Sequence, residues 1–266
     1  MFKRFIKGLV IILPCLSVYS VTYAAENLKV KPVYQGIVEV IDEPLSIQFR
    51  PFPESIITNK TMSYITVGGT ETEMGSNSTG AAQIIRKGNN LEMLISVDEV
   101  ETLKAGQTEI QKCDIKVVIS MSPYGEFRGF DMKSQSIPAS ELASVKEMLQ
   151  SIFKQAISTL PKEGIPQGYQ FVDKINMGFG DITTIGRVLG KTTFKQRLSL
   201  FVDFSGSTMQ LDLEGKRVEM AMNGYALMDV ATGVWRYNEV SMFLPMPDNA
   251  GGSIAVHQQV EIHIEE

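Results

Sequence analysis

Histidine, cysteine and tryptophan are nearly missing from this chain: two, two and one among 266 residues. Each scarcity removes a class of function. Histidine is the ordinary proton acceptor near neutrality, and here only His257 and His263 exist. Six residues apart on one extended strand, at about 3.3 Å per residue, they stand roughly 20 Å apart and cannot share a metal. Cys15 lies in an N-terminal apolar stretch, which leaves Cys113 alone in the remainder, so no intramolecular disulfide is expected. Basic residues are also in deficit. The 25 Lys and Arg face 30 Asp and Glu, a net charge of −5, which excludes nucleic acid as the expected partner because phosphates need a basic surface. No cofactor is implied.

Long hydrophobic runs are missing too, with one short exception. Met1 to Lys7 is basic, Gly8 to Val21 is apolar but broken by Pro14, and Thr22-Tyr23-Ala24 offers small residues for a peptidase. That order predicts an export signal over 1–24, cleavage after Ala24, and a periplasmic or secreted protein. A retained anchor would need about 20 consecutive apolar residues, so no stable membrane span is expected after cleavage. Loss of residues 1–24 leaves 242 residues with 22 basic and 30 acidic side chains. Such a length supports one large domain over 25–266.

Catalytic signatures are missing as well. There is no Gly-x-Ser-x-Gly elbow; Ser151-Ile152-Phe153-Lys154 matches the first box of penicillin-interacting enzymes without the other two; and Gly186 to Gly190 encloses three residues where a phosphate loop needs four.

What the chain has in quantity is period-2 alternation. Ile254, Val256, Val260, Ile262 and Ile264 share a parity that only Gln258 interrupts, while His257, Gln259, Glu261 and His263 fall on the other. Similar runs cover 91–97 and 115–121. Short Gly, Asn and Asp connections at 87–90, 123–125, 205–207, 214–216, 229–233 and 247–252 suit hairpins. The pattern predicts about a dozen antiparallel strands in a curved meander, half-barrel or sandwich-like. Residues 68–80, small and polar, read as a long mobile loop at a hairpin tip.

One segment has a helical period. Leu142, Val145, Leu149, Ile152, Phe153, Ala156 and Leu160 follow three-to-four spacing between Pro138 and Pro161, which predicts an amphipathic helix over 138–160 packed on the sheet. It divides the chain into two parts, 28–135 and 166–266, that end in a weakly similar strand–turn–strand order, which raises duplication as a reading. Methionines crowd the last hairpins, where Met220 and Met222 suit core filling, a pliable lipid-type pocket or Cu(I), in that order. Trp235 and Tyr237 lie in the same hairpins, as core or as the wall of a ligand groove.

The Ala139 to Leu160 helix, the Leu160-Pro161-Lys162-Glu163-Gly164 stop and the Val218 to Phe243 hairpin resemble the half-barrel lipid and lipoprotein carriers of the bacterial envelope, and similar uncharacterised secreted β-rich proteins. The resemblance implies a curved sheet around an apolar cavity and transfers no residue role. Three functions follow in order. The first is a non-enzymatic module binding an apolar or amphipathic ligand such as a lipid, with Leu149, Phe153, Met220, Met222, Trp235 and Tyr237 as pocket candidates. The second is a structural protein pairing its sheet edges with an envelope partner. The third is a hydrolase using carboxylates such as Asp203, Asp212 and Glu219.

Overall fold

The computed structural model describes residues 30, 32–67, 69–104, 107–156, 159–176, 180–204, 208–213, 216–245 and 252–264. The expected signal at 1–24 and the turns at 205–207, 214–215 and 246–251 lie outside these residues. The alternating segments form β1 (Phe52–Val67), β2 (Thr70–Lys87), β3 (Asn90–Lys104), β4 (Gln107–Met121), β5 (Phe127–Ser134), β6 (Gln170–Asn176), β7 (Gly180–Phe194), β8 (Arg197–Asp203), β9 (Thr208–Leu213), β10 (Lys216–Asp229), β11 (Trp235–Pro245) and β12 (Ser253–His263), with one helix among the described residues, α1 (Ala139–Ala156).

All twelve strands join one antiparallel sheet in the order β5-β4-β3-β2-β1-β12-β11-β10-β8-β7-β6, with β9 continuing the line of β8 between β10 and β7. Two meanders, β1 to β5 and β6 to β12, are therefore laid side by side through the pairing of Ile56–Thr66 with Ser253–His263. The sheet does not close on itself, and its two edges, β5 and β6, are joined by α1, which packs against both.

The sheet is strongly curled. Phe171 on β6 and Trp235 on β11 are separated by four strand spacings, about 19 Å on a flat sheet, yet their ring centroids lie 5.6 Å apart. Register shifts at Thr79/Ala82, Val97/Glu99, Val188/Gly190 and Leu227/Met228 supply local bends. Gly186 makes room on the inner side, where a Cβ would meet Phe204 Cε1 at 2.5 Å.

The main core fills one end of the curl. Phe52, Ile57, Ile84, Leu91 and Met121 from the first meander meet Phe171, Val202, Phe204, Met228 and Ile262 from the second. A strap over 41–49 caps this end with Ile41, Ile47 and Phe49. Backbone hydrogen bonds pin it: Leu45 N to Ile165 O at 3.0 Å, Phe49 N to Pro123 O at 2.7 Å and Arg50 N to Thr232 O at 3.0 Å.

The helix starts where expected, since the Pro138 carbonyl accepts from the N–H groups of Glu141 and Leu142. Its last assigned residue is Ala156, four short of Leu160. Leu160 instead donates its N–H to Tyr124 O at 2.8 Å and buries its side chain in the main core, so its apolar spacing reflects tertiary packing. Residues 68–80 also differ from expectation. From Thr70 onward they are strand, paired with β1 throughout and with β3 over Met74–Thr79. The glycine at 80 serves close packing, because a Cβ there would lie 2.0 Å from Ser96 O. Low intrinsic strand propensity is overridden by two ladders of hydrogen bonds.

Candidate functional site

The inner face of the sheet changes character along its strands. Next to the apolar end runs a polar belt: Ser78, Asn59 and Asn238 in one cross-strand row, Ser76, Thr61 and Gln258 in the next, all buried. Gln258 Nε2 donates to Asn59 Oδ1 at 2.9 Å, and Asn59 Nδ2 to Ser78 Oγ at 3.5 Å. Asn238 is 3% exposed, yet its Oδ1 has no hydrogen-bond partner among the described residues, a state that costs about 1–3 kcal/mol of desolvation. Val240 ends the second row beside Gln258, and beyond the belt Met242 is buried, while Ile65, Met74, Ile254 and Val256 are half-buried beside Ser63. This part of the face therefore alternates aliphatic with small polar groups.

The outer face carries a different cluster. Tyr34, Phe201, Tyr225 and Tyr237 form an aromatic row with centroids 5.0 to 5.8 Å apart. The hydroxyls of Tyr225 and Tyr237 donate to Glu239 Oε2 at 2.8 and 3.1 Å. Burial, and then the neighbouring Glu239 carboxylate, raise both phenols well above the usual range. Glu239 Oε1 lies 3.5 Å from His257 Nε2, and His257 Nδ1 lies 2.9 Å from Ser241 Oγ. Burial is the main reason the His257 pKa falls below its ordinary value. Ser, His and Glu in hydrogen-bond order are the parts of an acyl-transfer triad. Ser241 is only 1% exposed, so it is closed to a substrate and the network braces the sheet instead.

Four of the six expected pocket residues have described side chains, and these four lie in three different clusters. Leu149 and Phe153 are buried against β3, β4 and β5, with Phe153 stacked on Phe130 at 5.7 Å. Trp235 packs on the main core beside Phe171 and Phe204. Tyr237 shares the parity of Trp235 but lies on the opposite face, because the shift between Leu227 and Met228 sets Tyr237 opposite Leu227 and Trp235 opposite Met228. Met222 pairs with Met242 and Met220 with Met209 along the strands; the side chains of Met220 and Met222, like those of Asp212 and Glu219, lie outside the described residues.

Among the described residues no group of three potential ligands could hold a metal, and no helix is long and apolar enough to cross a membrane. Cys113 is buried, and burial raises its thiol pKa. Sequence reasoning did not anticipate Asn59, Asn238 or Glu239. The one legible signal of the polar belt was Gln258, which breaks the apolar parity of the last strand.

No family model matches the chain, and no curated protein matches it. Among solved structures it is similar to lipovitellin, in a structure concerned with lipid–protein interactions, at 9% identity and a TM-score of 0.44 over 81% of this chain. The chain spans 25% of the length of that lipovitellin chain. It is also similar to a DUF1329 family protein from Desulfovibrio piger, at 11% identity and a TM-score of 0.22, covering 79% of this chain and 87% of that one. No residue role is taken from either.

Proposed function

We propose that the protein is an exported, non-enzymatic module of the bacterial envelope that holds an apolar or amphipathic ligand, such as a lipid, against the inner face of its curled sheet beside α1. The observation that carries this reading is the buried Asn238 amide oxygen, without a partner among the described residues and set in a polar belt between aliphatic zones of an open sheet. A ligand with a polar group at the belt and an aliphatic chain toward Val240, Met242 and Val256 satisfies both chemistries. Leu149 and Phe153 then act by holding α1 in place, and Trp235 by closing the apolar end.

The test is native mass spectrometry of protein recovered from its own envelope, followed by organic extraction. A complex heavier than the chain, releasing an aliphatic compound, is expected, and Asn238→Leu should reduce the bound fraction. Recovery of bare protein refutes the reading. A mass equal to residues 25–266 tests the predicted cleavage in the same spectrum. The alternative, an envelope partner paired with a sheet edge, draws on one observation: Val172 on edge strand β6 is 55% exposed. It predicts a co-purifying protein in place of a small molecule.

A further inference from the structure

A second site lies on the outer face, away from the inner face invoked above. A cavity of about 330 Å³ opens over β2, β1, β12 and β11, which is at the lower end of the roughly 300–1,000 Å³ typical of ligand sites. Two outward-facing cross-strand rows line it, together with Ser78, Asn59 and Val260 of the row between them. Asn77, Lys60 and Gln259 form one, and Thr79, Thr58, Glu261 and Tyr237 the other.

The hydrogen-bonding capacity of these groups is only partly used. Asn77 Nδ2 donates to Glu101 Oε2 at 2.7 Å, which leaves its carbonyl oxygen free to accept. Glu261 Oε1 takes Lys195 Nζ and lies 3.3 Å from His263 Nδ1, which leaves Oε2. Lys60 is exposed and makes no ion pair among the described residues. Donors and acceptors thus alternate at the strand spacing of about 4.8 Å, and one aromatic side chain stands at the end. Tyr237 is a firm wall, with its ring stacked on Tyr225 at 5.8 Å and its hydroxyl held by Glu239.

A hydroxyl both donates and accepts, so a ligand dense in hydroxyls matches a lining that offers both senses. The C–H face of a sugar ring also suits the negative face of an aromatic ring. Among the outward-facing residues that line the cavity, Tyr237 alone offers a large apolar surface to an aliphatic chain, and the exposed Ile56 stands outside the lining. A compact phosphate would bring its charge against the Glu261 carboxylate. We propose that this cavity binds a saccharide of one or two rings, with Lys60, Asn77 and Gln259 contacting its hydroxyls and Tyr237 flanking a ring.

Saturation-transfer NMR on the full chain tests this with cellobiose, N,N′-diacetylchitobiose and inorganic phosphate as probes. One disaccharide should bind saturably with Kd below about 10 mM, and the Lys60→Ala, Asn77→Ala double variant should weaken it at least about tenfold. Both positions are exposed, so the melting temperature should stay at the wild-type value. The proposal is overturned if neither disaccharide binds, if the double variant binds equally well, or if inorganic phosphate displaces the sugar. None of these outcomes depends on a ligand at the inner face.

Discussion

Asp229 offers the sharpest test of how the apolar end is closed. It is fully buried at the β10 terminus, where its carboxylate accepts from Arg197 Nε at 2.7 Å and Nη2 at 3.3 Å, and from Thr232 N and Oγ1, both at 2.8 Å. Those bonds shape the 229–233 turn, whose Thr232 carbonyl receives Arg50 N from the end of the strap. Removing one partner of a buried ion pair costs about 3–5 kcal/mol. Arg197 keeps 21% of its side chain exposed and can rehydrate in part, which places the ionic loss near the lower bound. The two Thr232 bonds add about 1 kcal/mol each. Asp229→Ala should therefore cost about 4–5 kcal/mol. Asp229→Asn, which keeps an acceptor for Thr232, should cost about 2–3 kcal/mol.

The pH dependence has a definite sign. Burial alone would raise the Asp229 pKa, but the hydrogen bonds from Arg197 and Thr232 outweigh it and hold the carboxyl below its ordinary 3.8. A folded-state pKa below the unfolded one gives stability that is complete above about pH 4 and is lost as pH falls through the folded value. Urea unfolding at neutral and acid pH measures both effects. The reasoning is refuted if Asp229→Ala unfolds within about 0.5 kcal/mol of wild type, the range of an unremarkable surface change, or if Asp229→Asn keeps the full acid sensitivity.

Gly186→Ala should lower the unfolding free energy by about 1–3 kcal/mol, seen as a lower urea midpoint at constant m-value, since the new methyl meets Phe204 Cε1 at 2.5 Å. Phe153→Ala should cost about 3–5 kcal/mol and speed hydrogen exchange in α1 before β12, because Phe153 is 4% exposed and stacks on Phe130 of β5. His257 has a depressed pKa, so the unfolded chain takes up the proton first; stability should fall as pH drops below about 6.5, and His257→Gln should remove that slope.

The strands were legible because half-buried antiparallel sheets impose period 2 on the residues themselves. Ile254 to Ile264 could be assigned to one face without knowing their partners. Strand order could not be read, since nothing local in Ile56–Thr66 says that it pairs with Ser253–His263, some 200 residues away. The loop expected at 68–80 failed for the same reason: its strand character comes from the neighbouring ladders, not from Ser76, Asn77 or Gly80. The binding candidates suffered from a third cause. Trp235 and Tyr237 lie two apart and ordinarily share a face, but one register shift separates them.

That shift also explains how a single sheet carries two chemistries back to back. Because side chains alternate strictly along a strand, an extra residue re-aims everything beyond it. With Arg236 as the extra residue, Trp235 stays with the apolar core, while Tyr237, Glu239 and Ser241 fall outward and Asn238, Val240 and Met242 inward. Without it, Glu239 would enter the aliphatic inner face beside Val260, and Met242 would take the outward place of Ser241 beside His257. The buried cost of a carboxylate is several kcal/mol per ion, larger than the cost of one irregular pair. The bulge is therefore the cheaper structure, and it keeps an amphipathic inner surface and a hydroxyl-lined outer one on opposite sides of one β-ribbon.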